Sequence, residues 1–563
     1  MDRAVEVSQL ATQILLTSTC RKISEILEAM IHRKLWTIVF FLIVLSTLSL
    51  GLSRAQQTVK KESPTASDSE KRTGNTIPQF SHREFQSDPP APPSQWARHN
   101  VWARTPGAIV RRGPFTSIQV NVDEFGNNIV GDAANEPSIA IDPTDPDKIV
   151  IGWRQFQTVK SNFREAGWAY SHDGGKTWTF PGVLDPGIFR SDPVLDADLD
   201  GNFYYYSLTT DLNGVFFCNL FKSTDGGVSW QDPVFAYGGD KMWLAVDKTN
   251  GIGQNNIYAL WQRPLNPYGR RIFTRSTDGG QTFFFPIEVP HLPALGTMAI
   301  GPDGELYVSG IKTLWVLYFF PTFVVVKSTD VGNPTTMPTF TPTLVNMGGF
   351  YIYFYYFGIA AGPNPQGLLG QIWVAVDHSS SPSRGNVYLL ASVVSPCLLD
   401  PLDIHFIRST DGGATWSSPV RVNDDPIGNG AWQWFSTMSV APNGRIDVVW
   451  NDTRNTGHAN LSELYYAYSL DAGETWSLNI PVSPVFDSYL GWPNQEKIGD
   501  YYHMISDNYS VNLAYAATFN EEQDIYFLKL GDCNNNGIHD SDDIASSTSQ
   551  DLNNNLIPDE CEP

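Results

Sequence analysis

Short apolar runs separated by turn residues fill most of the chain, and they come in sets of three that end on the same polar box. PSIAIDP, IVIGWR and GWAYSHDGG form the first set, then DPVLDAD, FYYYSL and FFCNLFKSTDGG, then WLAVD, IYALWQR and IFTRSTDGG. TMAIGPDG, LYVSGI and FVVVKSTD follow, then IWVAVD, VYLLASV and IHFIRSTDGG, and finally FSTMSVAPNG, IDVVWNDTR and LYYAYSLDAG. Each set predicts an innermost, a second and a third strand, with a fourth after the box. YYHMISDN, VNLAYAATF and DIYFLKL make one more set, without box or fourth strand, and FTSIQVNVD (Phe115 to Asp123) stands alone ahead of the first set. Pairing that early strand with the last three closes a ring and leaves no open sheet edge. The expectation is therefore an all-β, seven-bladed propeller with four-stranded antiparallel blades over 115–530. Six blades is the alternative, and Phe350 to Leu369 is where the alignment of units is weakest.

The box reads Ser-x-Asp-x-Gly-x-Thr-Trp. It occurs from Ser171, Ser223, Ser276, Ser409 and Ser469, with a worn copy from Ser328, and its aspartates Asp173, Asp225, Asp278, Asp330, Asp411 and Asp471 lie 52, 53, 52, 81 and 60 residues apart. A period near fifty with strand-like flanks signals a radial β array. The aspartate accepts backbone N–H groups across a tight turn, the glycine takes a left-handed or crowded position, and the aromatic opens the next strand facing inward. Each aspartate is thus expected to be structural.

This repeat resembles the Asp-box, or BNR repeat, of the sialidase superfamily and related propellers, over roughly Asn135 to Leu530. The resemblance implies a propeller whose boxes lie on the face opposite the ligand site. It does not by itself imply sialidase activity.

Composition narrows the partners. The net charge is −22, and without residues 1–55 it is −24, so the surface repels phosphate backbones and excludes nucleic acid as a partner. Leu35 to Leu52 is an apolar run between His32-Arg33-Lys34 and Ser53-Arg54-Ala55, read as a signal peptide, with an uncleaved membrane anchor as the alternative. Export, to the medium or the cell surface, follows from either, and the protein is expected to be monomeric. Residues 56–100, rich in Pro, Ser and charge, read as a disordered stalk. Cys533 and Cys561 look like a local disulfide pair, while Cys218 and Cys397 are expected to be buried and inert.

After Leu530 the composition changes. Asp532, Asn534, Asn536, Asp540 and Asp543 occupy positions 1, 3, 5, 9 and 12 of a calcium loop with Gly537 at position 6; Asp551, Asn553, Asn555, Asp559 and Glu562 repeat the spacing with Leu556 in place of the glycine. The tail, 531–563, resembles dockerin and thrombospondin type 3 repeats, which implies structural calcium. An acidic, Asn-rich tail without metal is the alternative.

In a propeller the innermost strands begin, and the second strands end, on the face away from the boxes. Those positions hold Glu136, Arg190, Asp192, Asp240, Lys241, Glu496, Asp500 and Tyr501, and, at second-strand ends, Arg154, Arg263, Asp452 and Arg454. Arginines there suit an anionic sugar, because guanidinium grips a carboxylate with two hydrogen bonds. The resemblance to sialidases implies Arg154, Arg190 and Arg454 as a clamp, with Glu136 beside them. It further implies Tyr501 with Glu496 or Glu136 as the nucleophile pair, and Asp192 or Asp452 as the acid, with no cofactor needed for catalysis. The Phe/Tyr-Arg-Ile-Pro sequence of that family is absent, and seven blades differ from its six. The expectation is a sialidase-like exo-glycosidase, with a non-catalytic glycan- or protein-binding propeller as its rival. In a third reading these ions pair with one another and brace the blades.

Overall fold

The computed structural model describes residues 87–90, 106–263, 265–312, 322–352, 362–395, 400–534, 536, 538–553 and 557–561. The expected signal or anchor segment, most of the stalk, Cys397, Gly537, Asn555, Leu556 and Glu562 lie outside the described residues. Among those described, no helix is long and apolar enough to cross a membrane.

Two strands, β1 (Ile109–Arg112) and β2 (Phe115–Gln119), precede the repeats. Blade one is β3 (Ala133–Ile141), β4 (Ile149–Phe156), β5 (Glu165–Ser171) and β6 (Thr179–Leu184). Blade two is β7 (Ser191–Ala197), β8 (Phe203–Thr210), β9 (Phe216–Ser223) and β10 (Val234–Phe235). Blade three is β11 (Trp243–Val246), β12 (Ile257–Leu260), β13 (Arg271–Ser276) and β14 (Ile287–Glu288). Blade four splits its innermost strand into β15 (Pro293–Ala294) and β16 (Met298–Ile300), followed by β17 (Leu306–Lys312), β18 (Phe323–Ser328) and β19 (Thr341–Val345). Blade five is β20 (Trp373–Val376), β21 (Val387–Val393), β22 (Asp403–Ser409) and β23 (Val420–Arg421). Blade six is β24 (Gln433–Val440), β25 (Ile446–Asp452), β26 (Leu461–Ser469) and β27 (Ile480–Pro481), with β28 (Phe486–Asp487) added on β26. Blade seven is β29 (His503–Ser506), β30 (Val511–Ala517) and β31 (Asp524–Leu530), completed by β2.

Seven antiparallel blades are thus present. The ring closes as expected: β2 pairs with β31 through Ser117 with Leu528 and Gln119 with Tyr526. Beyond the expectation, β1 adds a fifth strand outside β2, so the propeller begins at 109 rather than 115. Ser87–Pro90 departs from the stalk reading, since Asp88 accepts from the Asn162 N–H (3.0 Å) and the Ser161 hydroxyl (3.1 Å) and donates its own N–H to Asn162. A carboxylate satisfied by a loop N–H and a hydroxyl fixes a short stretch that composition alone reads as unstructured.

Five of the six boxes share the same four hydrogen bonds. In the second, Ser223 Oγ donates to Asp225 and accepts from Gly227 N, while Asp225 accepts from the Ser229 N–H (3.0 Å) and hydroxyl (2.5 Å). In the fifth, the Thr415 hydroxyl and N–H with the Ser409 hydroxyl pull Asp411 down to about 2. The box glycine sits at φ +85 in Gly227, and a Cβ there would come within 2.4 Å of Val150 in the preceding blade. The first box's aromatic, Trp178, likewise seats on Phe527 of the preceding blade at 5.3 Å, while Trp230 packs on Tyr205 of its own blade at 5.8 Å. The motif is therefore both a turn and the joint between blades.

Candidate functional site at the channel mouth

The residue six places before the turn that ends each innermost strand defines a ring at the mouth: Glu136, Asp192, Lys241, Leu295, Gln371, Phe435 and Tyr501. Five of these are left-handed without being glycine, at φ 53, 48, 52, 61 and 57 for Glu136, Asp192, Lys241, Leu295 and Phe435. In blades one, two and six the pairing register shifts at that residue, a bulge that re-aims one side chain. Non-glycine residues held at positive φ cost on the order of 1 to 3 kcal/mol each and collect at functional sites. The charged members of the ring, Glu136, Asp192 and Lys241, come from three consecutive blades.

They meet further ions from blades one and seven. Glu136 lies 3.2 Å from Arg154 and 3.4 Å from Lys497, and Lys497 lies 2.9 Å from Asp500. Lys241 lies 2.5 Å from Asp500 and 3.8 Å from both Asp192 and Asp240. Arg154 Nε donates to Asn135. The Tyr501 hydroxyl donates to the Pro193 carbonyl at 2.7 Å. Beneath this cluster the rings of Trp243, Trp373 and His503 pack at 5.3 to 5.6 Å and fill the channel. Below them a cavity of about 240 Å³ opens toward the box side.

Burial sets the protonation states apart. It is the largest influence on Glu136 and raises it to about 8 against the pull of Arg154, with Asp500 and Asp192 adding repulsion. Burial also opposes ionisation of Asp192, but Lys241 and Arg154 outweigh it and hold that carboxyl at about 2. Asp500 is likewise held well below the usual carboxylate range, by Lys241 and Lys497 against burial. Tyr501 is pushed well up by burial and by the Glu136 and Asp192 carboxyls, so it stays a phenol.

The cluster is covered. The connection between blades four and five returns over it through Asn364 to Leu368: the Asn364 amide donates to Gly499 O (2.7 Å) and Leu368 O and accepts from Ile498 N, and Leu368 N donates to Asp500 (2.9 Å). Glu136 and Arg154 are 0% exposed, and Asp192 and Tyr501 3%.

Glu136, Arg154, Asp192 and Tyr501, expected at one site, are brought together. Arg190 and Arg454 are not: they share no partner with Arg154 among the described residues. Arg190 pairs with Asp185 at 2.6 Å and lies 4.9 Å over Phe221. Arg454 pairs with Asp424 (2.5 Å), Asp452 (2.9 Å) and Asp425 (3.5 Å), and sits 4.3 Å over the Tyr465 ring. Asp452, raised by burial against Arg454, belongs to that separate cluster. Glu496 is exposed, and Tyr501 bonds a backbone carbonyl instead of this carboxylate. Lys497 was missed; a lysine beside a strand entrance in EKIGDYY was the available signal. Asn364 had none, because its role comes from a non-local connection.

In the tail, Cys533 and Cys561 form a disulfide, and Cys218 is free and buried. A helix, α1 (Asp540–Ser546), is capped by His539, which packs against Tyr468 at 5.6 Å and lies 3.4 Å from the Tyr466 hydroxyl. Asn534 and Asn536 both donate side-chain N–H to Asp543, at 3.2 and 2.8 Å, and Asn536 N donates to Asp532. Burial, then Asp532, Asp543 and Glu560, raise Asp540 to about 6 against the Cys533 N–H. Among the described residues no three Asp, Glu, His or Cys side chains stand placed to hold an ion. Of the five first-loop residues, Asn534 and Asn536 meet at Asp543, while Asp532 accepts from Asn536 N and Asp540 from Cys533 N. In the second loop, Asp559 accepts from Leu552 N.

The sequence profile of the BNR/Asp-box repeat matches residues 169–180, the third strand and first box of blade one. Over 380 residues the chain is 25% identical to a protein named xyloglucanase from Paenibacillus sp; the match covers 61% of this chain and 32% of that one, so the chain spans about a third of its relative's length. A lectin structure from Burkholderia pseudomallei is similar at 12% identity, with 68% of this chain and 99% of that chain covered and a TM-score of 0.41. A sialidase structure from Trypanosoma rangeli is similar at 13% identity, with 76% and 60% covered and a TM-score of 0.38. The chain carries BNR/Asp-box repeats on a seven-bladed propeller.

Proposed function

We propose that the protein is an exported, carbohydrate-directed propeller that cleaves glycosidic bonds at the mouth of its central channel. The observation that carries this reading is the pair Glu136 and Asp192: two carboxyls at equivalent left-handed positions of adjacent blades, one held neutral near pH 7 and the other ionised. Hydrolysis of a glycoside needs such a pair, a proton donor for the leaving oxygen and a carboxylate for the opposite side of the ring. Glu136 takes the donor role and Asp192 the carboxylate role, which reverses the assignment of Asp192 as acid. Tyr501, donating to Pro193, positions the Asp192 segment. In a sialidase-like reaction the anionic sugar would meet Arg154, Lys241 and Lys497 in place of a clamp of three arginines. The relative named xyloglucanase supports a glycan substrate. Because the pair is buried under Asn364 to Leu368, a substrate reaches it only when that strap lifts.

The rival reading, a non-catalytic binding propeller, is favoured by one observation: the mouth ions are mutually paired and closed off, as a brace would be. Turnover by the purified protein on a panel of neutral and sialylated glycosides separates the two. Hydrolysis that disappears in Glu136→Gln and Asp192→Asn, with melting temperature retained, supports catalysis; no turnover on any glycoside, with both variants strongly destabilised, rejects it. The tail is proposed to take calcium through Asp532, Asn534, Asn536, Asp540 and Asp543, as a structural ion that orders it.

A further inference from the structure

The worn fourth box marks a second feature, away from the mouth. In the other boxes the aspartate bonds a Thr or Ser four residues on; Asp330 instead reaches Thr339, accepting from its N–H and hydroxyl at 2.8 Å each. The turn is intact and the extra residues loop outward. Arg275 of β13 fixes that loop by donating to the Val331 and Thr336 carbonyls. Between the loop and the outer edge of blade three runs an open cleft of about 960 Å³, the work of this one departure from the repeat.

Its walls carry aromatic rings, Arg270, Arg271 and Arg275, and one carboxylate, Glu288. Phe284 and Phe285 are 45% and 60% exposed, and Met337 on the opposite wall is 73% exposed. Arg271 lies over the Phe285 ring at 5.5 Å. Arg270 pairs with Glu288, while Arg271, exposed, makes no ion pair among the described residues. The aromatic surface continues beyond the cleft onto blade two, from Phe285 to Tyr237 (5.9 Å), Phe235 (5.0 Å) and Phe217 (5.6 Å). Large aromatic rings left in water expose apolar area that a ligand with an apolar face would cover. Pyranose rings have such a face, and a row of rings suits a chain of them. On a protein of net charge −22, an exposed arginine beside this row is a local positive feature that suits an anionic group, and a carboxylate is one that guanidinium holds with two hydrogen bonds.

We propose that this cleft is a glycan-binding site, separate from the channel mouth, for an extended polysaccharide that carries carboxylate groups. Sugar rings stack on Phe285 and its neighbours, and Arg271 takes a carboxylate. The proposal rests on the carbohydrate-directed reading above but not on catalysis. It is tested with the full chain by titrating polygalacturonate and, as the neutral control with the same backbone, its fully methyl-esterified form. The expected result is saturable binding of polygalacturonate, at least tenfold weaker for the ester, and a loss of at least tenfold in both Phe285→Ala and Arg271→Ala with melting temperature unchanged. Glu136→Gln should bind as wild type. Equal binding of acid and ester overturns the carboxylate claim; wild-type binding by both cleft variants, or binding lost only in Glu136→Gln, overturns the site and leaves the mouth as the glycan site. Absence of binding to polygalacturonate overturns the proposal, whatever the glycosidase panel shows.

Discussion

Gly499, at the entrance to blade seven, faces Glu136 of blade one so closely that a Cβ on the glycine would stand 2.8 Å from the Glu136 Cγ and 2.9 Å from its backbone nitrogen. Its φ of +97 disfavours any other residue as well. Only glycine therefore fits where the entrance to blade seven passes Glu136 of blade one. Gly499→Ala should destabilise the fold by on the order of 2 kcal/mol, from backbone strain and displacement, and should shift the titration of Glu136. Chemical denaturation and a pH series on the variant check both.

Glu136 itself makes stability depend on pH. Its folded pKa, about 8, lies above the unfolded value of 4.5, so between these values the folded chain keeps a proton that the unfolded chain has released. The stabilisation is complete below 4.5 and is lost as pH rises through about 8. Glu136→Gln, which mimics the protonated carboxyl, should flatten the fall of melting temperature over that window. An unchanged slope contradicts the assignment.

Arg454 is expected to be a brace. Its place at a strand end reads as part of a ligand clamp, but it is the cation beside Asp452, which is 0% exposed. Arg454→Ala leaves that buried carboxylate without its cation and should cost about 3 kcal/mol or more, with glycan binding unaltered. Binding lost at wild-type stability would return Arg454 to the ligand site.

Asp225→Ala removes the acceptor for the Ser223 and Ser229 bonds of the second box and should cost about 1 to 3 kcal/mol. Any ligand affinity should persist, since the boxes lie at the far end of the blades from the mouth. A variant that melts as wild type but no longer binds contradicts a structural role.

Calcium should protect the tail. Asp540 is raised by burial and then by the nearby Asp532 and Asp543 carboxylates, and an ion that neutralises this charge favours the ordered loop. Limited proteolysis after Leu530 should slow in calcium relative to chelator; equal rates speak against binding.

The blades were legible in the sequence because their determinants are local. A box of eight residues closes its own turn, so Ser223, Asp225, Gly227 and Ser229 announce their hydrogen bonds by spacing alone, and an unpartnered set of three strands calls for Phe115 to Asp123 to complete it. Strand ends also placed Glu136, Arg154, Asp192 and Tyr501 on the mouth. What spacing does not carry is the direction of a side chain at a left-handed bulge, or which ion from another blade it meets. Lys241 finds Asp500 259 residues away, and Asn364 reaches Gly499 across the ring. The same physics turned Arg190 and Arg454 to nearer carboxylates, because a buried cation takes whichever anion the packing of its own blades supplies. The sequence determined a closed ring of seven blades with charged residues at one end; ring closure, acting between residues hundreds of positions apart, decided which of those charges form a site.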